Sequence, residues 1–127
     1  MLTLRNLDWL TGFLEGEGSF SLHSSVKSGW ISPRLDAGTT DRDVIERAAR
    51  TLETKVYGPY KIANGKKPYY RVFVHGSLAA GWMMTLFSLM GKRRQGRIRE
   101  VLLRWRKQPS GTLRDKTGRY ARKEAQR

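Results

Sequence analysis

The chain of 127 residues contains no cysteine, two histidines and few acidic side chains. Without cysteine there is no disulfide, thiolate zinc site or thiol nucleophile, which is typical of proteins in a reducing compartment. The longest apolar run, residues 78–90, is shorter than the roughly 20 residues that cross a bilayer. His23 and His75 are too widely separated to suggest a histidine metal site. We see no secretory leader pattern and expect a cytoplasmic location, with an organelle matrix equally compatible.

Positive charge is what the chain has in excess, since 25 Lys and Arg stand against 11 Asp and Glu for a net charge of +14. The excess is concentrated in residues 92–127, which hold 14 basic and 3 acidic side chains. This balance favours a polyanionic partner through counterion release and long-range attraction. Nucleic acid fits better than a membrane surface, because no basic amphipathic helix stands apart from the core.

Residues 10–20, LTGFLEGEGSF, have the pattern of a helix end that leads into a strand. Asn6 is the predicted N-cap and Gly18 the predicted stop. One stripe at helical spacing fits the core: Leu7, Leu10 and Leu14. A second stripe holds Trp9, Gly12 and Gly16. Because each helical glycine costs roughly 1 kcal/mol relative to alanine, the glycine pair indicates close approach by a second helix.

Two hairpins are predicted from alternating polar and apolar residues. The strands are expected at residues 18–27, 30–40, 55–63 and 67–75, with Pro33 marking an edge position or a bulge. The turns fall at Ser28-Gly29 and Asn64-Gly65. The sheet's predicted polar face carries hydrogen-bonding and basic side chains.

Three further helices are predicted from apolar residues at helical spacing. They begin after a cap at Thr40 or Asp41, after a cap at Ser77, and at about Arg93. The order of elements is then α-β-β-α-β-β-α-α, an α+β fold with one four-stranded antiparallel sheet and the helices on one face. Residues 1–107 form the expected single domain. Residues 108–127, with six basic and two acidic side chains, are expected to be a disordered tail.

The sequence of residues 10–20 resembles the motif of the LAGLIDADG homing endonucleases, with leucine, the glycines, two acids and the following Ser-Phe in register. The departures are Thr11 for alanine, Phe13 for leucine, and glutamates at 15 and 17 for aspartates. With the order of elements, the resemblance covers residues 7–105. It implies the αββαββα(α) fold with a saddle-shaped sheet, and a single-motif, homodimeric endonuclease that cuts both strands of a specific DNA site.

By this resemblance Glu17 is the metal ligand, the Gly16 carbonyl is its neighbour in the site, and Glu15 is structural. A carboxylate at a helix C-terminus lies against the helix dipole, which independently suggests a cation beside Glu17. The expected ion is Mg²⁺, with Ca²⁺ or Mn²⁺ able to substitute, because such hard cations bind oxygen ligands. A surface acid without a metal is the alternative.

Three further residues are candidates for the catalytic site. Asp41 matches a position that orients the attacking water in the family, and a helix N-cap is the equal alternative. Lys92 matches a lysine near the scissile phosphate, where a fixed cation stabilises developing negative charge. A solvated helix start is the alternative for Lys92. Gln95 is assigned to the same water network.

The polar face of the sheet is the predicted contact surface for duplex DNA, since Arg and Lys bind phosphates and Arg also reads guanine edges. The predicted DNA-binding residues are Ser19, Ser21, His23, Ser25, Lys27, Ser32, Arg34, Lys61, Tyr69 and Arg71. Arg93 and Arg94 complete the set, and either can take the place of Lys92.

The predicted assembly follows from strand length. A strand of about 10 residues spans about 10 base pairs, so one chain reads a half-site. We therefore expect a homodimer that joins at Trp9, Gly12 and Gly16 on a nearly palindromic target of about 20 base pairs, in the service of intron or intein mobility. The alternative is a catalytically inactive family member that acts as a sequence-specific DNA-binding regulator or as an RNA maturase. Retention of both Glu17 and Lys92 favours the nuclease.

Overall fold

The computed structural model describes residues 2–25, 27–61 and 64–108. In those ranges the chain forms four helices, four strands and one short 3-10 turn, Phe87–Leu89. The helices are α1 (Leu4–Glu17), α2 (Arg42–Leu52), α3 (Ser77–Leu86) and α4 (Lys92–Lys107). The strands are β1 (Gly18–Ser24), β2 (Ile31–Thr39), β3 (Tyr57–Tyr60) and β4 (Tyr69–His75).

The four strands form one antiparallel sheet in the order β1-β2-β4-β3, so that β2 and β4 are the inner strands. All four helices contribute buried side chains to one hydrophobic core that covers one sheet face. Its largest fully buried members include Leu10, Leu14, Phe20, Leu35 and Ile45. The predicted α+β class and its four-stranded antiparallel sheet are confirmed.

Helix α1 begins earlier than the sequence pattern indicated. Thr3 is the N-cap and its hydroxyl accepts a hydrogen bond from the Asn6 amide at 3.1 Å, so the prediction of Asn6 as the cap was wrong. Gly18 is the C-cap, as predicted, in an extended conformation. A Cβ there would lie 2.7 Å from the Leu14 carbonyl oxygen, so close approach, and not a left-handed φ, requires the glycine.

Pro33 lies in the inner strand β2, which corrects the expectation of an edge or bulge position. It pairs with Leu22 of β1, while the β2–β4 ladder ends at Arg34 and His75. The Pro33 carbonyl accepts a hydrogen bond from the Gly76 amide at 2.9 Å. Since N and C=O of one strand residue point to the same side, the missing donor of Pro33 lies beyond the end of the ladder and disrupts no pair.

Several predicted boundaries shift. β1 ends at Ser24 and β3 at Tyr60, both sooner than predicted. Gly76, at φ +74°, occupies the cap position before α3, so the Ser77 cap was wrong because glycine alone adopts that backbone easily. α4 starts one residue early, at Lys92 after Gly91.

The domain boundary near residue 107 stays a prediction, as does the disordered tail, because residues 109–127 lie outside the described residues. Gln108, assigned to that tail, has its side-chain amide paired with Ile31 at the start of β2. It accepts from the Ile31 amide and donates to the Ile31 carbonyl, both at 2.8 Å. In the part of the chain that is described, no helix combines the length and the apolar character needed to span a bilayer.

Candidate nucleic-acid interface

The sheet face opposite the core carries mostly polar and aromatic side chains, because alternate residues of each strand point away from the helices. Ser19, Asp36 and Phe73 lie side by side across β1, β2 and β4, and Ser21, Arg34 and His75 form the next row. We call this surface the polar sheet face. Of the predicted DNA-binding residues, it holds Ser19, Ser21, His23, Ser32, Arg34, Tyr69 and Arg71.

Other predicted contact residues lie outside the strands. Ser25 and Lys27 belong to the β1–β2 connection, not to the strand, and Lys61 follows the end of β3. Lys27 and Lys61 are exposed. Arg93 is exposed in the first turn of α4. These side chains are accessible to DNA, although they do not lie in the sheet.

Arg94 is placed against α1 and not on the polar sheet face. Its guanidinium is 12% exposed and donates to the carbonyl oxygens of Gly18 and Glu15, the latter at 3.0 Å. Its Nε lies 3.6 Å from a carboxylate oxygen of Glu15. Arg94 therefore neutralises the carbonyl end of the α1 dipole, a role that sequence spacing alone did not distinguish from a DNA contact.

The polar sheet face also holds residues that sequence reasoning did not place in the site. Asp36 lies between two arginines, with its Oδ2 at 3.3 Å from Arg34 Nε and 3.7 Å from Arg71 Nη2. Phe73 stacks on Tyr57 with ring centroids 4.5 Å apart. The alternation of β4 contained the signal for Phe73, because Val72 and Val74 on either side of it face the core.

The space beside Gly38 is filled by the side chain of Tyr69. A Cβ on Gly38 would collide with the hydroxyl end of Tyr69. Glycine at this position therefore leaves room for the hydroxyl end of Tyr69 against β2.

Glu17 is the last residue of α1 and is exposed at the point where the helix passes directly into β1. The Glu15 carboxylate, two residues earlier in α1, accepts a hydrogen bond from the Gly91 amide at 2.7 Å. This contact joins the C-terminal end of α1 to the N-terminal end of α4. Lys92 is exposed. It follows Gly91 directly, so its backbone lies next to this contact with the end of α1.

Asp41 occupies the N-cap position of α2, and its carbonyl accepts from the Ile45 amide at 3.1 Å. Its carboxylate makes no capping hydrogen bond within the described residues and is exposed. Asp41 is therefore the N-cap residue by position and backbone, but its side chain does not cap the helix. Since Gly18 pairs with Ala37, the end of β2 that leads to Asp41 lies at the same end of the sheet as Glu17.

Gln95 is engaged in packing. Its side-chain amide donates to the Phe87 carbonyl at 2.9 Å and ties α4 to the preceding 3-10 turn. Its predicted place in a water network stays untested, but one of its donors is already committed within the chain.

The exposed glycines of α1 have no packing partner among the described residues. A Cβ added to Gly12 or Gly16 would meet no atom of the described chain within 4 Å. Trp9 differs, since it stacks on Phe13 at 5.4 Å between ring centroids and lies under Arg47 at 4.4 Å. The predicted dimer contact therefore has open glycines beside a tryptophan that is partly held within its own chain.

The predicted metal ligands were tested through their donor chemistry. Across the described ranges, no three His, Cys, Asp or Glu residues gather closely enough to hold an ion. Glu17 and Gly16 are nevertheless exposed residues with a carboxylate and a carbonyl as oxygen donors, and Mg²⁺ takes only one or two protein carboxylates beside water and phosphate. The donor chemistry of these residues therefore fits such an ion, and one chain supplies only part of its ligands.

No family model and no curated protein matches this sequence. The fold is similar to that of the group I intron-encoded homing endonuclease I-CeuI in complex with DNA, at 14% identity and a TM-score of 0.60, over 84% of this chain and 56% of that one. It is also similar to the homing endonuclease I-CvuI in complex with a DNA target, uncleaved, in the presence of Mg, at 15% identity and a TM-score of 0.61, over 84% of this chain and 71% of that one.

A third similar structure is the LAGLIDADG meganuclease I-AabMI bound to uncleaved DNA, at 14% identity and a TM-score of 0.60, over 88% of this chain and 40% of that one. The chain thus spans 56% of I-CeuI and less than half of I-AabMI. The predicted fold is confirmed, because these likenesses, at low sequence identity, concern the arrangement of the backbone.

Proposed function

We propose that this chain, which has the LAGLIDADG homing-endonuclease fold, is a metal-dependent, site-specific DNA endonuclease that acts as a homodimer. The observation that carries the proposal is the position of Glu17. It is an exposed carboxylate at the end of α1, where β1 begins at the next residue, and Lys92 follows Gly91, whose amide binds Glu15 in the same helix end. A binding protein would gain affinity by losing that negative charge near phosphate.

The polar sheet face suits the major groove. β2 has nine residues, which at roughly 3.3 Å each extend about 30 Å, the length of about nine base pairs. The major groove admits strands of a β-ribbon, and arginine is the side chain that most often reads guanine there. In this proposal Arg34 and Arg71, on the inner strands, would read base edges, and the exposed Lys27, Lys61 and Arg93 outside the strands would contact phosphates.

The proposed chemistry is hydrolysis of a phosphodiester bond. Glu17 and the Gly16 carbonyl would hold a divalent ion, which supplies an activated water and neutralises charge on the phosphate. The Lys92 ammonium would stabilise the negative charge that develops on the phosphate oxygens. The Asp41 carboxylate, free of the helix cap, can accept a hydrogen bond from the attacking water.

One chain contributes one Glu17, whereas a double-strand cut needs two active centres. A second copy that docks on the glycine face of α1 would bring two such centres to the middle of a palindromic site. Gly12 and Gly16 are consistent with this arrangement, since their lack of side chains has no other use within the described chain. RNA maturation or DNA regulation without cleavage would give no role to the negative charge of Glu17 near phosphate.

Gly12→Leu is expected to leave the monomer folded, because a side chain there meets nothing within the described chain, and to prevent dimerisation. In the monomer the change should stabilise α1 by up to about 1 kcal/mol through helix propensity. Gly81→Leu is the matched control, since Gly81 is also an exposed helical glycine with open space around it. Sedimentation analysis should show a dimer for Gly81→Leu and a monomer for Gly12→Leu; equal dimerisation would remove α1 as the contact.

The function itself is tested by incubating the protein with a DNA pool that contains the uninterrupted insertion junction of its gene. Staggered cuts at one site with Mg²⁺, and retained binding with Ca²⁺, are the expected result. Selective binding without cleavage under any divalent ion would favour the DNA regulator, and preference for intron RNA in competition would favour the maturase.

A further inference from the structure

We propose that Asp36 determines the sequence discrimination of the polar sheet face by holding Arg34 and Arg71 in orientations that read guanine. The inference rests on the proposed function, because it concerns how the same surface selects its DNA. Asp36 contacts no base by itself in this proposal. It is a positioning residue for the two arginines.

Asp36 lies between these arginines on adjacent inner strands. Its Oδ2 contacts Arg34 Nε at 3.3 Å on its own strand and Arg71 Nη2 at 3.7 Å on β4. The three side chains are 24%, 22% and 40% exposed for Arg34, Asp36 and Arg71. They are thus only partly buried, and the cluster keeps one net positive charge.

The Nε atom of Arg34 explains why a carboxylate is needed there. Nε is buried and makes no hydrogen bond within the described residues. The carboxylate of Asp36 is the negative charge that offsets its burial, since a buried cation without a partner is costly. Asp36 lies on the Nε side of Arg34, and in this proposal the two Nη groups, with four N–H donors, contact the DNA.

Stacked aromatic rings further restrict the orientation of the Arg34 guanidinium. The Arg34 guanidinium carbon lies 4.7 Å from the Phe73 ring centroid, and Phe73 stacks between Tyr57 at 4.5 Å and His75 at 6.2 Å. A guanidinium that lies on a ring and pairs at one edge has few rotamers left. We therefore expect the Nη edge of the Arg34 guanidinium to keep one orientation.

This arrangement matters because an arginine on a DNA-binding surface has two competing uses. A mobile guanidinium pairs with any phosphate and contributes only sequence-independent affinity. A fixed one can donate two hydrogen bonds to O6 and N7 of guanine, which discriminates by about 1–3 kcal/mol against the wrong base. The carboxylate also repels phosphates that approach the arginines, so it weakens non-specific contacts as it orients the specific ones.

Asp36→Asn is the direct test, because it keeps the size of the side chain and removes its charge. From a randomised duplex pool bound in Ca²⁺, the variant should lose guanine preference at the positions that the wild type selects. Its ratio of specific to non-specific affinity should fall about 10-fold, since roughly 1.4 kcal/mol corresponds to a factor of ten. Non-specific affinity should rise, with a steeper salt dependence by about one released counterion.

Glu100→Gln is the matched control, since it also removes one acid paired to an arginine, Arg97 at 2.8 Å, but on α4. It should raise non-specific affinity slightly and leave the selected sequence unchanged. Asp36→Glu serves as a second variant if the asparagine variant fails to fold. It retains the charge but displaces it by one methylene, so discrimination should fall without a gain in non-specific affinity.

The outcomes separate the two proposals. If the wild type selects a sequence and Asp36→Asn selects the same sequence with the same ratio, the inference is overturned while the proposed function stands. A wild type without sequence preference overturns both. Loss of guanine preference in Asp36→Asn, with selection retained by Glu100→Gln, supports Asp36 as the positioning residue.

Discussion

Glu17→Gln is expected to reduce the rate of DNA cleavage by about 1,000-fold, which corresponds to roughly 4 kcal/mol of transition-state stabilisation. The amide keeps the shape of the side chain but loses the negative charge that would hold a divalent ion. Affinity for the target should be unchanged or slightly higher, because an exposed acid is removed from beside a phosphate. Single-turnover cleavage in Mg²⁺ and binding in Ca²⁺ measure the two effects separately.

Glu53→Gln is a suitable control for that experiment. Glu53 is likewise exposed at the C-terminal end of a helix, α2, but it is remote in sequence from the α1–β1 junction. Its substitution should leave cleavage within about 2-fold of the wild type, as expected of a surface change. Equal cleavage by both variants would show that Glu17 holds no metal, and chelation of the divalent ion would then decide whether metal is needed at all.

Arg94→Ala is expected to lower the free energy of unfolding by about 3 kcal/mol. The substitution leaves the carbonyls of Glu15 and Gly18 without their donors and removes the partner of the Glu15 carboxylate. Losing a sheltered, charged hydrogen-bond donor costs about 1.5–3 kcal/mol, whereas the ion pair adds little, because the Glu15 side chain is 42% exposed and its charge is screened by solvent. Urea denaturation followed by tryptophan fluorescence would measure the change.

Arg93→Ala provides the comparison, because it removes the same side chain from the adjacent, exposed position. Its unfolding free energy should stay within about 0.5 kcal/mol of the wild type, while its affinity for DNA falls. An Arg94→Ala protein as stable as Arg93→Ala but weaker in binding DNA would return Arg94 to the DNA-contacting set and contradict the structural role.

The two arginines show where sequence reasoning reached its limit. Both lie in one basic run, and spacing assigned them the same role. In the folded chain one helical position separates a solvent-facing guanidinium from one that lies on the end of α1, since successive helical residues point about 100° apart. Which of them meets another element depends on how α4 packs, and a local pattern does not contain that information.

Much of the fold was accessible from the sequence, because its signals are local. The leucine stripe of α1, the alternation in β2 and β4 and the α-β-β-α-β-β-α-α order each follow from periodic burial of apolar residues. The errors were also local in origin. Pro33 was assigned to an edge position or a bulge because proline lacks a donor, whereas its pairing shows that the donor site lies past the end of the β2–β4 ladder.

The sequence by itself determined the fold class, the junction at Glu17 and the polar sheet face, because helix and strand periods place residues on faces without knowledge of their partners. Only the tertiary structure decided how Glu15 contacts Gly91, how Gln108 pairs with Ile31 and how Asp36 joins Arg34 to Arg71. Two of these contacts link residues more than 70 positions apart and the third depends on the register of β2 with β4. Such contacts arise from packing, so they become visible only when the elements are assembled.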